Sequence, residues 1–549
     1  MAIVIAIGYW RYIPNDNEIT PDYGQEHPII IAGEPSNLGG IINGESIKLP
    51  LSVLQDKLGL KDVIWYEEAT GSIVLTNVEK VLRLKTQQLT ATMNSKPYEL
   101  REAAEVKDNE VYIPTAPLEE LYGLQIESSA ESGIITALTS GTAVQLAEAR
   151  ASTAIRLEPT IRSAIVERLQ AQEIVRIWRD SDKKGWSLVQ ASNGVIGYIK
   201  KDDLTLTNIE QVEKAEQQSP FIAWKLIGNK INLTWEGVYQ KNPDTSKIST
   251  LDGVNVVSPT WFELIDGTGK IRSKADKQYV NWATNRQMQV WALFSNGFEP
   301  DRTTQALATA DSRFNMIQQL VAFSKVYQLK GINIDFENVK TSDKEELVQF
   351  VRELTPILHE QGLVVSIDVT PKSNSELWSL FLDRAALGQI VDYMMVMAYD
   401  EHWASSPKAG SVASLPWTEQ SLVRILEEDN VPASKIVLGM PLYSRVWNEK
   451  IGSDGTVDVS SKALGMESIQ EIIDQKKLKP TFDTAAGQNY VEYTEDGNRQ
   501  RIWIEDDVSI QARIALVRKY GLAGVATWQR TFQSDEIWDI IDTSLHQQP

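Results

Sequence analysis

The stretch Lys330-Gly-Ile-Asn-Ile-Asp-Phe-Glu-Asn338 alternates apolar and polar side chains. In a β-strand, successive side chains point to opposite faces, so the two kinds of side chain separate. One face carries Ile332, Ile334 and Phe336, and the other carries Asn333, Asp335 and Glu337. We therefore predict a strand whose apolar face packs on surrounding helices. Its polar face points into a barrel, with Glu337 nearest the mouth.

The chain around this stretch repeats one pattern over about 330 residues, in which apolar strand-like runs alternate with amphipathic helical segments. Eight strands are predicted to begin near Ile231, Val254, Gln289, Gly331, Leu363, Tyr393, Ile436 and Gly524. Helices are predicted between them, for example at 304–328, 343–360 and 419–429. Eight strand–helix units predict a (β/α)8 TIM barrel, in which catalytic residues lie at the carboxyl ends of the strands.

Asp335 and Glu337 have the spacing of a paired acid site. Two residues along a strand separate their Cα atoms by about 6–7 Å. Repulsion between like charges and partial burial both raise a carboxyl pKa. A carboxyl that stays protonated near neutral pH can act as a general acid. Three adjacent inward polar residues also fit a structural polar ladder or a cation site, and the residues alone leave those alternatives open.

The composition excludes several other kinds of site. The 549 residues carry a net charge of −20, and an acidic surface repels phosphate, so we expect no nucleic-acid partner. The chain has no cysteine, which excludes disulfides, thiol nucleophiles and iron–sulfur clusters. It has only 4 histidines, and we expect no catalytic zinc. No apolar run reaches the ~18 residues of a membrane span.

The N-terminal third predicts a short leading segment and a first small domain. Residues 1–28 open with the apolar run Met1-Ala-Ile-Val-Ile-Ala-Ile-Gly8. This run fits equally the tail of an export signal or membrane anchor whose beginning is missing, and a short buried strand. Residues 29–124 alternate apolar runs with turn residues, and Asn43-Gly44 predicts a hairpin within 41–50. With short helices at 52–58 and 118–122, they predict a small α+β domain.

Residues 142–206 predict a second small domain of short, evenly spaced strands. Runs at 174–178, 186–190 and 195–199 alternate inward and outward residues. The Ser-, Gly- and Thr-rich segment 125–141 before this domain is predicted to be a linker. The polar and helical composition of 207–222 predicts a second linker, and the barrel domain is predicted to span 223–549.

The motif at 330–338 resembles the signature of family 18 glycoside hydrolases, Asp-x-x-Asp-x-Asp-x-Glu on the fourth barrel strand. Asp335 and Glu337 match its last two acidic positions, whereas Lys330 and Asn333 differ from its first two. The second difference matters more, because that family Asp shares a proton with its neighbour. The Asn-Ile-Asp-Phe-Glu version resembles the spore-lytic branch, which implies an active variant. A reduced rate or an altered pH profile is the alternative.

Three further strand ends resemble the same family. The sixth strand ends in Met-x-Tyr-Asp, which implies that Tyr399 and Asp400 hold the N-acetyl group of the substrate. The seventh resembles Gly-x-Pro-x-Tyr, so Tyr443 either lines the sugar site or belongs to the core. Trp528 ends the eighth strand, and the resemblance implies that it forms the floor under the reacting sugar. A flat indole can stack on a pyranose face.

A long insertion is predicted between the seventh and eighth strands, at about 448–501. Within it, residues 490–504 predict a hairpin that turns at Asp496-Gly497. The resemblance implies a small α+β insertion that walls one side of the cleft. The following segment, 503–513, is close to spore-germination members of the family.

The two small domains have resemblances of their own. Residues 29–124 resemble the α+β domain first described at the amino terminus of copper amine oxidases, and no copper is implied. Residues 156–159 and 194–199 resemble parts of a bacterial SH3-like barrel, a module that usually holds an enzyme against wall polymer. A spacer without a ligand is the alternative. These resemblances imply an extracellular protein associated with the cell wall or spore.

The family resemblance implies a retaining glycosidase in which the acetamido group of the substrate replaces a carboxylate nucleophile. Glu337 is then the acid, Asp335 orients the acetamide, and Tyr399 holds its carbonyl. The other residues implied to bind substrate are Asp400, Trp528, Tyr443 and Asn333. No metal or cofactor is needed. We expect a monomer that cleaves N-acetylglucosamine linkages in peptidoglycan or spore cortex; a chitinase and a non-catalytic carbohydrate-binding protein are the alternatives.

Overall fold

The chain divides into two units, residues 1–220 and 221–549. The computed structural model describes residues 13–213, 221–224, 230–452 and 456–546. The apolar run at residues 1–8 and the end of the predicted second linker, 214–220, lie outside the described residues. None of the helices in the described ranges has both the length and the hydrophobicity needed to cross a membrane.

The first domain of the N-terminal unit contains three sheets and two short helices. Its strands are β1 (Ile29–Ile31), β2 (Glu34–Pro35), β3 (Ile41–Asn43), β4 (Ser46–Pro50), β5 (Ile64–Glu67), β6 (Ser72–Thr76), β7 (Val81–Lys85), β8 (Thr90–Met93), β9 (Lys96–Glu99), β10 (Glu105–Lys107), β11 (Glu110–Pro114), β12 (Gln125–Ser128) and β13 (Ile135–Leu138). The helices α1 (Leu51–Asp56) and α2 (Thr115–Tyr122) confirm the two predicted helices. Pairing of Asn43 with Ser46 confirms the predicted hairpin.

The linker predicted at 125–141 is wrong, because it contributes the strands β12 and β13. Strand β13 pairs in parallel with β1, with Ile135 opposite Ile29, and antiparallel with β12. Ile135 is fully buried in the core of the domain. The polar residues around this short apolar run dominate the composition of the segment. The partner strand lies at the start of the domain, where local composition gives no sign of it.

The second domain is a seven-stranded antiparallel sheet. Its strands are β14 (Ala143–Ala149), β15 (Thr153–Arg156), β16 (Ile165–Leu169), β17 (Ile174–Asp180), β18 (Trp186–Gln190), β19 (Ile196–Lys200) and β20 (Leu204–Gln211). Strands β17, β18 and β19 confirm the three predicted strands. The helical linker predicted from residue 207 is wrong as far as residue 211, because β20 pairs with β14. Strand β20 lies at the sheet edge, where most of its side chains are exposed, and its part at 207–211 has a single apolar residue, Ile209.

Side-chain contacts join the two small domains of the N-terminal unit. The Arg176 guanidinium binds Glu127 of the first domain at 2.9 Å and Glu210 of the second at 2.6 Å. Gly33 of the first domain lies against the indole of Trp178, where an added Cβ would approach within 2.6 Å. The assignment of the second domain as SH3-like stays a prediction.

Eight parallel strands close into a barrel in the C-terminal unit. The first three are β21 (Ile231–Glu236), β22 (Val256–Pro259) and, after the hairpin β23 (Phe262–Leu264) and β24 (Ile271–Ser273), β25 (Gln289–Ser295). The others are β26 (Gly331–Asp335), β27 (Val364–Val369), β28 (Tyr393–Met397), β29 (Ile436–Pro441) and, after the insertion, β35 (Gly524–Trp528). Each begins within two residues of its predicted position, which confirms the (β/α)8 fold.

Helices surround the barrel because each strand is apolar on its outer face. They are α3 (Lys277–Asn285), α4 (Pro300–Leu307), α5 (Ala310–Tyr327), α6 (Lys344–Glu360), α7 (Arg384–Ile390), α8 (Leu415–Glu428), α10 (Asp507–Tyr520) and α11 (Ile537–His546). The helix predicted at 304–328 is two helices, since the Thr309 side chain caps α5 by accepting the Ser312 N–H at 3.1 Å.

The insertion between β29 and β35 is a five-stranded sheet with one helix. Its elements are β30 (Tyr443–Ile451), β31 (Val457–Gly465), α9 (Met466–Lys476), β32 (Thr481–Asp483), β33 (Gln488–Glu495) and β34 (Asn498–Trp503). Asp496 and Gly497 both have positive φ, as the predicted two-residue hairpin turn requires. Pairing of Glu495 with Asn498 confirms that hairpin.

Candidate active site

The carboxyl ends of the barrel strands bring the predicted site residues together. Strand β26 supplies Asn333 and Asp335, and Glu337 follows two residues later. Tyr399 and Asp400 follow β28, Tyr443 follows β29, and Trp528 ends β35. The parallel register places these strand ends at one rim of the barrel. Such a rim is where this fold carries its chemistry.

Asn333 lies fully buried inside the barrel, with both ends of its side-chain amide held. Its Oδ1 accepts hydrogen bonds from the indole N–H of Trp235 at 2.9 Å and the hydroxyl of Ser258 at 3.2 Å. Its Nδ2 donates to Oδ1 of Asp368 at 2.7 Å. Two donors on the oxygen and a carboxyl opposite the nitrogen determine the orientation of the amide. Asn333 therefore organises the barrel interior.

Asp335 is a buried carboxyl that forms no ion pair with any basic side chain in the described ranges. Only 9% of it is exposed, and its Oδ1 has no hydrogen-bond partner in the described part of the chain. Burial disfavours the charged form and raises the pKa of Asp335 to about 7. Asp335 can therefore gain or lose a proton near neutral pH.

Glu337 lies at the mouth of the barrel, close to two other carboxylates. Burial, followed by the charges of Asp335 and Asp400, raises the pKa of Glu337 well above its usual range. The side chain of Asn296 binds both the N–H and the carbonyl of the Glu337 backbone. The Glu337 N–H donates to Oδ1 of Asn296 at 3.1 Å, and its carbonyl accepts from Nδ2 at 2.7 Å. Glu337 is thus a positioned carboxyl whose surroundings favour its protonated form.

Tyr399 follows β28 and lies near the carboxyls of Asp368, Glu337 and Asp335. Burial, then the charges of Asp368 and Glu337, raise the pKa of its phenol well above its usual value. The hydroxyl therefore remains a hydrogen-bond donor over the whole physiological pH range. A donor beside an acid pair can hold a carbonyl oxygen of a bound molecule.

Asp400 is held by two donors from the strand that follows β29. Its Oδ1 accepts from the Tyr443 hydroxyl at 2.6 Å and from an Arg445 N–H at 2.7 Å. Asp400 itself has a left-handed backbone, with φ of 60°. Tyr443 is almost fully buried, and its hydroxyl is engaged by Asp400. Tyr443 is therefore a core residue whose hydroxyl orients the Asp400 carboxylate.

Trp528 forms one aromatic wall of the site. It is partly exposed at the end of β35, and its ring centroid lies 6.0 Å from that of the buried Trp235. Trp235 in turn donates to Asn333, which connects the aromatic wall to the polar strand β26. A partly exposed indole over a buried one offers a flat face for a sugar ring.

Comparison with known proteins identifies the kind of protein to which this barrel belongs. The family model for glycosyl hydrolases family 18 matches residues 234–533, which is more than half of the chain. This chain belongs to glycosyl hydrolases family 18. It is therefore a glycosidase, as the motif at β26 predicts.

Relatives of this family 18 chain include two proteins of Bacillus subtilis. The glycosylase YvbX is 27% identical over 300 residues, and the match covers 52% of this chain and 84% of that protein. A cortical fragment-lytic enzyme is 28% identical over 267 residues, and the match covers 48% of this chain and 61% of that protein. Both matches therefore cover about half of this chain and leave the other half unmatched.

A solved structure and a second family model extend the comparison. The C-terminal domain of a putative chitinase from Desulfitobacterium hafniense superposes with a TM-score of 0.52 at 26% identity, covering 58% of this chain and 100% of that domain. The copper amine oxidase N-terminal domain model matches residues 32–137. That match confirms the resemblance of the first domain, and it includes β12 and most of β13.

The sequence did not predict four residues of this family 18 site: Trp235, Asn296, Asp368 and Arg445. Asn296 and Asp368 are polar residues at the ends of apolar strands, and that pattern is the signal that could have found them. Trp235 and Arg445 have no such signal. Each acts through a contact with a residue distant in sequence, Asn333 and Asp400 respectively.

Proposed function

We propose that this glycosidase hydrolyses N-acetylglucosamine linkages in peptidoglycan or spore cortex with retention of configuration. The observation that carries the proposal is the carboxyl pair Asp335 and Glu337 beside the Tyr399 hydroxyl. Burial raises the pKa of both carboxyls, that of Glu337 well above its usual range and that of Asp335 to about 7. A neutral acid next to an ionisable carboxyl suits protonation of a leaving group and stabilisation of the positive charge that develops.

In this mechanism the substrate supplies its own nucleophile. Glu337 donates its proton to the glycosidic oxygen as the bond to the anomeric carbon breaks. The acetamido oxygen of the same sugar attacks that carbon and gives an oxazolinium ion, which Asp335 orients and stabilises. Water then attacks the anomeric carbon and gives its proton to Glu337, so the acid is restored and configuration is retained. The reaction balances without a metal or a redox cofactor.

The remaining site residues bind and position the sugar. The Tyr399 hydroxyl holds the acetamido carbonyl, and Trp528 stacks under the pyranose ring. Asp400, fixed by Tyr443 and Arg445, accepts hydrogen bonds from the substrate through its second oxygen. Asn333 binds no substrate in this proposal, because both ends of its amide are engaged inside the barrel.

The wall polymer is favoured by the similarity to a cortical fragment-lytic enzyme. Chitin oligomers are a second candidate, favoured by the 26% identity to the domain of a putative chitinase. We further propose that the two N-terminal domains hold the enzyme at the cell wall or spore, outside the cytoplasm. Both polymers carry the 2-acetamido group that the mechanism needs.

Parallel digestion of purified peptidoglycan, spore cortex fragments and chitin oligomers tests the proposal, with mass spectrometry of the new reducing ends. Muropeptides that end in N-acetylglucosamine establish a wall or cortex glucosaminidase. Cleavage of chitin oligomers alone establishes a chitinase. Binding of sugar without any product refutes hydrolysis and indicates a carbohydrate-binding protein.

A further inference from the structure

Asp368 is a buried carboxyl that the mechanism above does not use. It lies on β27, with 3% of its surface exposed. Strand β27 pairs with β26, and Ile367 lies opposite Ile334. The next position of that register brings Asp368 beside Asp335. Two buried carboxyls therefore occupy neighbouring strands at the same level of the barrel.

One oxygen of Asp368 has a fixed partner, and the other is available. Oδ1 accepts from Nδ2 of Asn333 at 2.7 Å, which is the side chain's one hydrogen bond in the described part of the chain. Asn333 cannot turn its amide, since Trp235 and Ser258 both donate to its oxygen. Oδ2 of Asp368 is therefore the atom that, when protonated, can donate a hydrogen bond to Asp335.

The groups around Asp368 disfavour its charged form. The charged groups that act on it are Asp335 from β26 and Glu337 beyond that strand, and Tyr399 approaches it after β28. No cation among the described residues offsets them. Burial and the two carboxylates together raise the pKa of Asp368 well above its usual range, despite the opposing hydrogen bond from Asn333. Burial raises the pKa of Asp335 to about 7, so Asp335 is partly ionised at neutral pH and can accept a hydrogen bond from Asp368.

We propose that Asp368 is a positioning residue whose carboxylic O–H donates a hydrogen bond to Oδ1 of Asp335. This bond engages the one Asp335 oxygen that is buried without another partner. It leaves the second oxygen of Asp335 to orient the acetamide of the substrate. Asp368 keeps its proton in every step and makes no bond to the sugar. The inference rests on the role proposed for Asp335 in hydrolysis.

Two substitutions separate this role from simple packing. Asp368→Asn keeps a neutral donor of the same shape, so we expect its kcat at pH 6 to stay within about tenfold of wild type. Asp368→Leu removes the donor and leaves Asp335 unpaired. A lost hydrogen bond to a charged group raises the pKa of Asp335, so the acidic limb of kcat/KM should move up by about 1–2 pH units.

Ser366→Ala is the matched control. Ser366 lies on the same strand and is fully buried, and its hydroxyl has no hydrogen-bond partner in the described part of the chain. Its substitution should leave the pH profile unchanged. A loss greater than tenfold in Asp368→Asn would overturn the inference. So would an acidic limb in Asp368→Leu that coincides with that of wild type.

Infrared spectroscopy tests the proton directly, without turnover and without the Leu variant. Wild-type protein at pH 7 should show a carbonyl band of a protonated carboxylic acid that Asp368→Asn lacks. Identical spectra in this region would overturn the inference. If wild type cleaves neither peptidoglycan fragments nor chitin oligomers, the proposed hydrolysis fails. The infrared comparison still decides whether Asp368 carries the proton.

Discussion

Two kinds of buried carboxyl in the same barrel unit differ in what surrounds them. Glu505 and Glu353 each bind a buried arginine: Arg513 lies 2.5 Å from Glu505, and Arg313 lies 2.7 Å from Glu353. Three carboxyls at the barrel mouth, Asp335, Glu337 and Asp368, have no ion pair to a basic side chain among the described residues. Asp335 and Asp368 are buried as these two glutamates are, so the regions differ chiefly in the basic partner.

The difference shows two ways in which one fold accommodates buried carboxyls. An arginine beside a buried carboxylate compensates for the lost hydration of both groups. Asp335, Glu337 and Asp368 have no such arginine within the described ranges, and their charged forms are disfavoured. The two arginine-paired glutamates therefore stabilise the fold, whereas Asp335, Glu337 and Asp368 are suited to exchanging protons.

The largest effect should come from removing the proton of Glu337. Glu337→Gln keeps the size of the side chain and lacks an acid, so kcat should fall by about 10²–10⁴-fold. Sugar binding and the melting temperature should stay close to wild type. Turnover of peptidoglycan fragments measures the loss, and Glu419→Gln on the outer helix α8 is the control. Near-wild-type turnover in Glu337→Gln would contradict the assignment.

A large loss of stability should follow when a paired carboxylate loses its arginine. Arg513→Met leaves Glu505 buried without its cation, and the free energy of unfolding should fall by about 3–5 kcal/mol. Urea unfolding followed by tryptophan fluorescence measures the change. Lys519→Met removes an exposed ion pair to Glu419 from the same helix, α10, and should change stability by less than about 1 kcal/mol. Equal effects of the two variants would show that burial does not matter here.

Removal of the Tyr399 hydroxyl should lower turnover moderately. Tyr399→Phe removes one donor to the acetamido carbonyl, which corresponds to a fall in kcat of about tenfold. The pH optimum should change little, because the phenol stays neutral throughout. Steady-state kinetics measure it against Tyr520→Phe, whose hydroxyl binds Glu419 on the outside of the barrel. An unchanged rate in Tyr399→Phe would show that this hydroxyl does not contact the substrate.

The smallest effect concerns stability as a function of pH. Because folding raises the pKa of Asp335 from 3.8 to about 7, the folded state binds the proton more tightly. Its contribution to stability is complete below pH 3.8 and is lost as the pH rises to about 7. Asp335→Asn should therefore melt a few degrees higher than wild type at pH 8 and show a shallower decline between pH 4 and pH 8. A slope identical to that of wild type would contradict the burial effect.

Local patterns in the sequence predict the barrel because each strand carries its own signal. All eight strand positions, the hairpin at Asp496-Gly497 and the acidic pair at the end of β26 follow from short-range alternation and turn residues. The prediction fails at 125–141 and at β20. There, polar residues dominate the local composition, and the strands pair with β1 and β14, which are distant in sequence.

The sequence by itself determined the fold class, the family signature and the acidic residues that face the barrel interior, because these depend on neighbours a few positions apart. Only the tertiary structure decided what surrounds those acids. The register of β26 against β27 brings Asp368 to Asp335, and the loop after β25 brings Asn296 to the backbone of Glu337. A carboxyl holds or loses its proton according to the charges and donors within a few ångströms, and folding alone assembles that environment.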